Sequence, residues 1–359
     1  MLKKIDWYII RQLFAIFLLA IALIILIVIV FDISEKLDDF LERKAPIKDV
    51  IFTYYLNFIP YFVNLFGHLF FFISVIFLTS KMAERTEIIA ILNSGISFKR
   101  FLRPFLLLSI LVAIFNMYLT NILIPQVNKV RLEFERVYYR NPQKNQFFNL
   151  HLQTDKNTQI YVKSFNTFTS TGYRFTKETF SKDGIKQKIS ASSIHYDSIK
   201  NVWLLTDYTI REISKEKEKL TKGYQTNMKL NLLPKDFNIN TAKVETMSFT
   251  ELNKFIKKEE EKGSKDVNLY LIEKYQRLLN PLAYIALTLI GVSLSSRKMR
   301  GGTGLHLALG ITLAFSFIMI MKITSVFAIK SNLPPLIAVL IPIVFFTLVG
   351  LFLLHKAPK

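Results

Sequence analysis

The chain has no cysteine among its 359 residues, which excludes disulfides and thiolate metal sites. It has only five histidines, and they form neither an H-E-x-x-H zinc motif nor a set with serine and aspartate. A phosphate-binding loop of the form G-x-x-x-x-G-K-[ST] is also missing. The glycine-rich run Gly301-Gly302-Thr303-Gly304 lacks the lysine and is interpreted as a flexible turn. The sequence therefore predicts no catalytic residue, no metal and no cofactor in this chain.

Negative charge is scarce, because 27 acidic residues accompany 47 basic ones and leave a net charge of +20. A basic balance of this size can indicate a nucleic-acid-binding protein. Here the basic residues are spread over many segments and do not form one face with aromatic partners. We therefore expect no nucleic-acid partner.

Long apolar runs are what the chain has in abundance. A helix needs about 20 apolar residues to cross a hydrocarbon layer of roughly 30 Å. Runs of about this length lie at Trp7 to Phe31, Val50 to Ser80, Pro104 to Ile124, Leu278 to Ser296, Leu305 to Ala328 and Pro335 to Leu354. The sequence predicts a membrane α-helical protein with a 3 + 3 arrangement of six transmembrane helices. Residues 1–124 hold spans one to three, residues 125–268 an inserted domain, and residues 269–359 spans four to six.

Basic residues near the ends of the spans predict the orientation, since short cytoplasmic loops are enriched in Lys and Arg. With both termini cytoplasmic, the inner segments contain Lys3, Lys4, Arg11, Lys81, Arg85, Lys99, Arg100, Arg103, Arg297, Lys298, Arg300, Lys356 and Lys359. Only Asp6, Glu84 and Glu87 oppose these charges. The inserted domain is then on the outer side of the membrane.

The inserted domain is predicted to be all-β. Short runs rich in β-branched and aromatic residues alternate with Asn, Asp, Gly and Lys turns at Gln159 to Phe165, Gly172 to Phe180, Gln187 to Tyr196 and Val202 to Ile213. Several such strands favour a sandwich or jelly roll. Ser248 and Glu251 form a capping box for a helix that ends at Gly263.

The loop between spans two and three is predicted to contain an amphipathic helix, near residues 82–95. Ile88, Ile91 and Leu92 fall on one side at helical spacing, and Gly95 ends the helix. One interpretation is a helix that rests on the lipid surface. The other is a docking helix that enters a groove of a cytoplasmic partner, where Glu87 meets a basic residue.

Several motifs, in order, resemble the LptF/LptG permease family, the membrane subunits of the ABC system that exports lipopolysaccharide. The segment around Arg85 to Gly95 resembles the family's coupling segment. Further similar motifs are Ile5-Asp6-Trp7-Tyr8-Ile9, Pro125 after the third span, Leu233-Pro234-Lys235-Asp236-Phe237, Tyr270 to Pro281 and Leu333-Pro334-Pro335. The resemblance covers nearly the whole chain.

The resemblance implies an inner-membrane transporter subunit with a periplasmic β-jelly-roll domain. It implies pairing with a homologous permease, as a heterodimer or homodimer, above a cytoplasmic ABC ATPase dimer that binds the ATP and Mg. Lipopolysaccharide would enter from the outer leaflet between the first span of one subunit and the fifth of the other. It would then pass through the jelly rolls to a periplasmic bridge protein, which serves outer membrane biogenesis.

The resemblance also suggests where partners and substrate would bind. The residues expected to couple to the ATPase are Glu84, Arg85, Glu87, Ile88, Ile91, Leu92 and Gly95. The residues expected to meet the lipid are Lys36, Lys322, Arg131, Arg136, Tyr161 and Trp203. For Lys322 a second interpretation is snorkelling toward the interface, and for the two arginines it is solvation on a helix. For Tyr161 and Trp203 it is packing in the core of the β domain.

Three other functions compete with the exporter. A mechanotransmission-type ABC subunit acting on periplasmic partners or another lipid would typically place its large domain between the first two of four spans. A secondary transporter would be expected to have broken helices with intramembrane charges. A structural or adhesion protein would not need six spans.

Overall fold

The computed structural model describes residues 3–139, 146–155, 157–181, 184–214, 217–230, 232–234, 237, 244–262, 264, 266–297 and 302–356. Two compact units divide the chain. Met1–Tyr139, Glu245–Leu252 and Asn268–Lys359 form a helical unit, and Arg140–Val244 with Asn253–Val267 forms a second unit that contains a β-sheet.

The first part of the helical unit contains three membrane-length helical segments, Lys4–Glu42, Ile47–Glu84 and Phe98–Tyr138. Its helices are α1 (Lys4–Glu42), α2 (Leu56–Glu84), α3 (Glu87–Asn93), α4 (Phe98–Tyr118) and α5 (Ile124–Tyr138). A helical turn at Ile47–Asp49 and a π-helical segment at Val50–Tyr55 lead into α2. A second π-helical segment, Leu119–Leu123, joins α4 to α5.

Helix α6 (Phe249–Lys262) belongs to the helical unit up to Leu252 and to the second unit from Asn253. The second part of the helical unit contains α7 (Val267–Leu279), α8 (Leu282–Ser295), α9 (Gly302–Lys330) and α10 (Pro335–His355). Helices α7 and α8 are bent by 55° relative to each other and are long and apolar enough to cross a membrane only as a pair. Proline at position 281 has no N–H to continue the hydrogen-bond ladder, so the break falls beside it. The described residues thus contain five membrane-length helices, or six when the bent pair is one span.

This architecture confirms a membrane α-helical protein with an inserted β domain. Helices α7 and α8 form one bent pair beside Pro281, and one prediction is corrected. Gly302 to Gly304 begin α9 instead of forming a turn, while Gly301 lies outside the described residues, as do Gly263, Lys235 and Asp236.

Helix α1 packs against the bundle along one narrow stripe. Ile9, Leu13, Phe17 and Ile21 recur every four residues and are buried in one cluster with residues of α2 and α4. Most of the remaining apolar side chains of α1 are exposed. A helix that is apolar on its unpacked side is suited to lipid contact.

The centre of the bundle depends on close helix contacts. A Cβ added at Gly291 in α8 would lie 2.9 Å from Cγ1 of Val75 in α2. Small residues allow such an approach between membrane helices, where packing and hydrogen bonds replace the hydrophobic effect. A hydrogen bond of 2.8 Å between Ser80 of α2 and His306 of α9 adds a buried polar contact.

The second unit contains one antiparallel sheet of six strands. The strands are β1 (Gln146–Asp155), β2 (Thr158–Asn166), β3 (Thr171–Ser181), β4 (Gly184–Asp197), β5 (Val202–Ile213) and β6 (Glu218–Met228). Each strand pairs with its neighbours in sequence. The described strands therefore form a meander, because each one pairs with the next along the chain.

The side-chain alternation changes phase within the sheet. Asn149, Arg174 and Asp207, in the alternate strands β1, β3 and β5, have positive φ angles of 53°, 52° and 49°. On the two sides of Arg174, the buried positions Gly172 and Phe175 accordingly follow at a spacing of three instead of two. The strands therefore do not keep a regular two-residue alternation across this part of the sheet.

Candidate functional site

The segment predicted to couple to an ATPase is shorter than expected. Helix α2 continues through Glu84, so residues 82–84 belong to the span, and α3 covers only Glu87–Asn93. Thr86, at a φ of 59°, separates the two helices. Gly95 has a φ of 84°, which glycine adopts without the steric cost of a side chain, and it ends the helix as predicted.

Helix α3 uses its apolar side within its own bundle. Ile88 is 1% exposed, and Ile91 and Leu92 pack against the same cluster as the stripe of α1. The outward side carries Ile89, which is 50% exposed, together with Ala90 and Asn93. A partner that approached α3 from outside would therefore meet Ile89 first, a residue that the sequence pattern did not single out.

The charged residues beside α3 are accessible. Glu84 and Arg85 are exposed. The Glu87 carboxylate accepts a hydrogen bond of 3.5 Å from the Tyr8 hydroxyl and lies 4.0 Å from Arg85. These contacts are long, so the Glu87 carboxylate remains able to bind a basic partner.

A strong contact fixes the start of α1 next to this region. Arg100 of α4 donates two hydrogen bonds, of 2.8 and 2.5 Å, to the Asp6 carboxylate, which is 3% exposed as a residue. The backbone N–H of Lys3 donates a third bond of 2.7 Å. Sequence reasoning had counted Asp6 only as an opposing charge. Arg100 and Asp6 lie at the ends of two different spans, so their pairing could be recognised only from the fold.

Lys36, at the other end of α1, lies in a buried polar group that we call the Lys36 cluster: Asp32, Lys36, Tyr54, Tyr55 and Glu135. The Lys36 ammonium lies 2.7 Å from Asp32 and 3.6 Å from Glu135, and it also donates to the Tyr54 hydroxyl. The hydroxyls of Tyr54 and Tyr55 donate to Asp32 at 2.9 and 3.2 Å. The cluster joins α1, the first π-helical segment and α5.

The other three predicted cations differ in exposure. Arg131 is 8% exposed, with its Nε atom 3.9 Å from Glu135 and its guanidinium 4.6 Å from the Tyr61 ring centroid. Arg136 is exposed and pairs with Glu133 at 2.5 Å. Lys322 is exposed on α9, and no described carboxylate lies within ion-pair distance of it. Glu135 thus brings Lys36 and Arg131 together, while Arg136 and Lys322 lie apart from them.

The two aromatic candidates face different surroundings. The Trp203 side chain is 1% exposed, and its Nε1 atom donates to the Leu232 carbonyl at 2.9 Å. It packs against Tyr196 and Phe237, with centroids 5.0 and 5.3 Å away. Tyr161 is half-buried, and its hydroxyl donates to Asn149 at 3.0 Å.

Comparison with known proteins identifies the family. A model of the family described as lipopolysaccharide export system permease LptF/LptG matches residues 7–356. The chain belongs to the LptF/LptG family. Two curated relatives in Escherichia coli, from strain K12 and strain O6:H1 CFT073, are both named lipopolysaccharide export system permease protein LptG. Each is 24% identical over 170 residues, which cover 46% of this chain and 46% of the relative.

Membership in the LptF/LptG family agrees with both structural units. The family is described as permeases of lipopolysaccharide export. The matched range extends through the membrane-length helices and the six-stranded sheet. The identity to each LptG protein, by contrast, covers about half of its length.

Proposed function

We propose that this chain is a permease subunit of an ABC-type lipopolysaccharide exporter. It would extract the lipid from the outer leaflet of the inner membrane and pass it to a periplasmic bridge protein. A separate cytoplasmic ATPase dimer would supply the energy, and a homologous permease would complete the pair. The observation that carries the proposal is the family match over residues 7–356.

In this proposal both termini are cytoplasmic and the sheet is periplasmic. The distribution of Lys and Arg over the short loops supports that orientation. The absence of cysteine allows a direct test, because a single introduced thiol is the only one to react. With a membrane-impermeant maleimide applied to intact spheroplasts, Ser198→Cys should react and Ser94→Cys should react only after lysis. The reverse pattern would contradict the orientation.

The ATPase would contact the accessible surface formed by α3 and the end of α2. Glu84, Arg85 and Glu87 supply exposed charges, and Ile89 supplies an exposed apolar side chain. Ile88, Ile91 and Leu92 would act indirectly, by holding α3 on the bundle, and Gly95 by ending it. Charge pairs at such an interface set specificity and association rate more than total affinity.

The lipid would be met by accessible cations. Lys322 and Arg136 are exposed and are suited to phosphate contact through charge-assisted hydrogen bonds. Lys36 and Arg131 already have carboxylate neighbours, so we assign them to the support of the outer ends of α1 and α5. Trp203 packs in the core of the sheet, and Tyr161 offers a more accessible aromatic surface.

Copurification tests the proposed function directly. The full chain, extracted gently from its native membrane, should carry a second permease, an ABC ATPase and bound lipopolysaccharide, all identified by mass spectrometry. Glu87→Lys should reduce the ATPase yield, while Glu133→Lys, an exposed charge reversal on α5, should leave it unchanged. Purification of the wild-type chain without any ATPase would contradict the proposal.

A further inference from the structure

A groove between α1 and α2 shares Arg85 and Glu87 with the surface proposed for the ATPase, and none of its residues is among those proposed to meet lipopolysaccharide. It has a volume of about 210 Å³. Gln12, Ala15 and Ile16 line it from α1, Phe77, Leu78, Lys81 and Met82 line it from α2, and Glu87 lines it from α3. Arg85 lies at the same end of the groove as Lys81, close to the termini of both helices.

The groove is positively charged at one end. Lys81 and Arg85 are four residues apart, so they lie on the same side of the helical segment. No described carboxylate forms an ion pair with Lys81, whose ammonium is 5.8 Å from the Phe77 ring centroid. Arg85 has one distant partner, Glu87 at 4.0 Å, and its side chain is 60% exposed.

The rest of the groove is apolar and opens on a lipid-exposed part of α1. Phe14, Leu18 and Leu19 of this helix are exposed beside it. The small side chain of Ala15 leaves room between the two helices. Mostly apolar walls that end in two cations and one carboxylate, with a net positive charge, match the polarity of an anionic phospholipid, whose phosphate is next to its acyl chains.

We propose that this groove binds one anionic phospholipid, with its phosphate at Lys81 and Arg85 and one acyl chain along Ala15, Ile16 and Phe77. Basic pockets between membrane helices are known to select anionic headgroups in this way. This ligand is not the exported lipid. The groove lies at the end of the bundle where α1 begins. The bound lipid would stabilise the junction of α1 and α2 next to α3.

The test measures which phospholipid the complex retains. The full complex is reconstituted in nanodiscs with equal amounts of phosphatidylglycerol and phosphatidylcholine, released gently and analysed by mass spectrometry. Wild-type complex should retain phosphatidylglycerol preferentially. Lys81→Gln and Arg85→Gln should each lower its retention roughly fivefold, the effect expected of one cation near a membrane surface. Lys81→Arg should preserve it.

Two further variants distinguish a defined site from a general surface effect. Lys99→Gln removes an exposed cation from the start of α4, outside the groove, and should leave retention unchanged. Ala15→Trp fills the groove without changing charge and should exclude the lipid. Equal losses in Lys99→Gln and Lys81→Gln, or unchanged retention in both Lys81→Gln and Ala15→Trp, would overturn the proposal. Loss of the ATPase from Ala15→Trp with its lipid retained would overturn it too, and would indicate a protein contact.

Discussion

The Lys36 ammonium is the most heavily paired of the predicted lipid-binding cations. Its side chain is 10% exposed, and those of Asp32 and Glu135 are 12% and 13% exposed. Charges at this depth are tolerated when each has a partner and costly when one partner is removed. We therefore interpret Lys36 as the counter-charge that allows two carboxylates to lie at the junction of α1 and α5.

Removal of this one cation should destabilise the helical unit. Lys36→Met leaves Asp32 without its ammonium partner, and breaking such a buried pair costs about 3 to 5 kcal/mol. We expect a clear fall in the melting temperature of the purified complex, measured by scanning fluorimetry. Asp32→Asn combined with Lys36→Met should recover most of it, because Glu135 still has Arg131.

Lys322→Met provides the matched control for this prediction. It makes the same chemical change on an exposed surface of α9, where little stability is at stake. Equal melting temperatures for Lys36→Met and Lys322→Met would show that the Lys36 cluster does not stabilise the fold.

Of this cluster, the sequence pattern singled out only Lys36. Asp32 and Lys36 are four residues apart, a spacing at which oppositely charged residues on a helix form ion pairs. Tyr54 and Glu135 were not predicted, because they approach only when α1, the first π-helical segment and α5 pack together. Lys36, at the end of a span, was therefore predicted to bind substrate, because its partners Tyr54 and Glu135 lie in distant parts of the sequence.

At the scale of elements, α3 combines a buried side with an exposed one. Its burial of Ile88 fixes the helix on the bundle, and its exposure of Ile89 offers a contact to a partner. Helical spacing correctly grouped Ile88, Ile91 and Leu92. The spacing could not say whether that group faces its own bundle or another protein, since both are apolar environments.

Substitutions on the two sides of α3 should have opposite effects. Ile88→Ala removes a fully packed side chain and should cost about 2 to 5 kcal/mol of stability. Ile89→Glu should leave the melting temperature nearly unchanged and weaken ATPase association. The measurements are scanning fluorimetry of the permease and the ATPase yield on copurification. If Ile89→Glu kept full ATPase yield and coupling, contact through the outward side of α3 would be excluded.

Helix α6 illustrates a local prediction that the structure confirms. The backbone N–H of Ser248 donates to the Glu251 carboxylate at 2.8 Å, and the backbone N–H of Glu251 donates back to Ser248 at 3.3 Å. The hydrogen bonds from the Ser248 backbone, and next from its side chain, to the Glu251 carboxylate hold the pKa of Glu251 below its usual 4.5. The ionised form is the one that caps the helix.

The pH dependence of α6 follows from this lowered pKa. The capping contribution is present above pH 4.5 and is lost as the pH falls through the lower pKa of the folded state. We expect faster amide exchange at the start of α6 under acid conditions, relative to other helices, measured by hydrogen exchange with correction for intrinsic rates. Glu251→Ala, which removes the acceptor of the Ser248 N–H, should show the faster exchange already at neutral pH and little further acid effect. An unchanged exchange rate in this variant would contradict the capping role.

The strands show that a two-residue period alone does not predict which side chains are buried. Alternating runs located β2 to β5 in the sequence, and Phe165, Trp203 and Leu205 are buried in these strands. The phase change is carried by Asn149, Arg174 and Asp207 at positive φ, and none of them is a glycine that would have marked an unusual backbone. The sequence pattern therefore could not predict on which face of the sheet Tyr161 lies.

At the scale of the whole molecule, the length of the apolar runs predicted some features of the fold and not others. Run length was enough to identify membrane helices, because a hydrocarbon layer imposes a minimum length. It was not enough to describe the fourth span, which divides into α7 and α8 beside Pro281. The length of an apolar run likewise does not indicate which exposed face of a helix a lipid would pass.

Exposed Lys322 and buried Lys36 can be separated by lipid loading in the complete transporter. A phosphate bound by an exposed cation in a partly desolvated entrance gains a charge-assisted hydrogen bond, worth about 1.5 to 3 kcal/mol. Lys322→Met should therefore reduce lipopolysaccharide loading by roughly tenfold or more, without lowering the melting temperature. Arg136→Met, which leaves Glu133 unpaired at the surface, should have a smaller effect.

The repaired variant, Asp32→Asn with Lys36→Met, decides the role of Lys36 because it removes the ammonium while restoring charge balance. If Lys36 only supports the junction of α1 and α5, lipid loading should return to the wild-type level together with the melting temperature. If it binds a phosphate, loading should stay low in the repaired variant although the protein is stable. The measurement is photo-crosslinking of lipopolysaccharide in reconstituted complexes of verified subunit composition, with Lys322→Met as the reference for a direct loss. We expect recovery, because the Lys36 ammonium already lies 2.7 Å from Asp32 and 3.6 Å from Glu135. A loss as large as that of Lys322→Met would instead place Lys36 at the lipid.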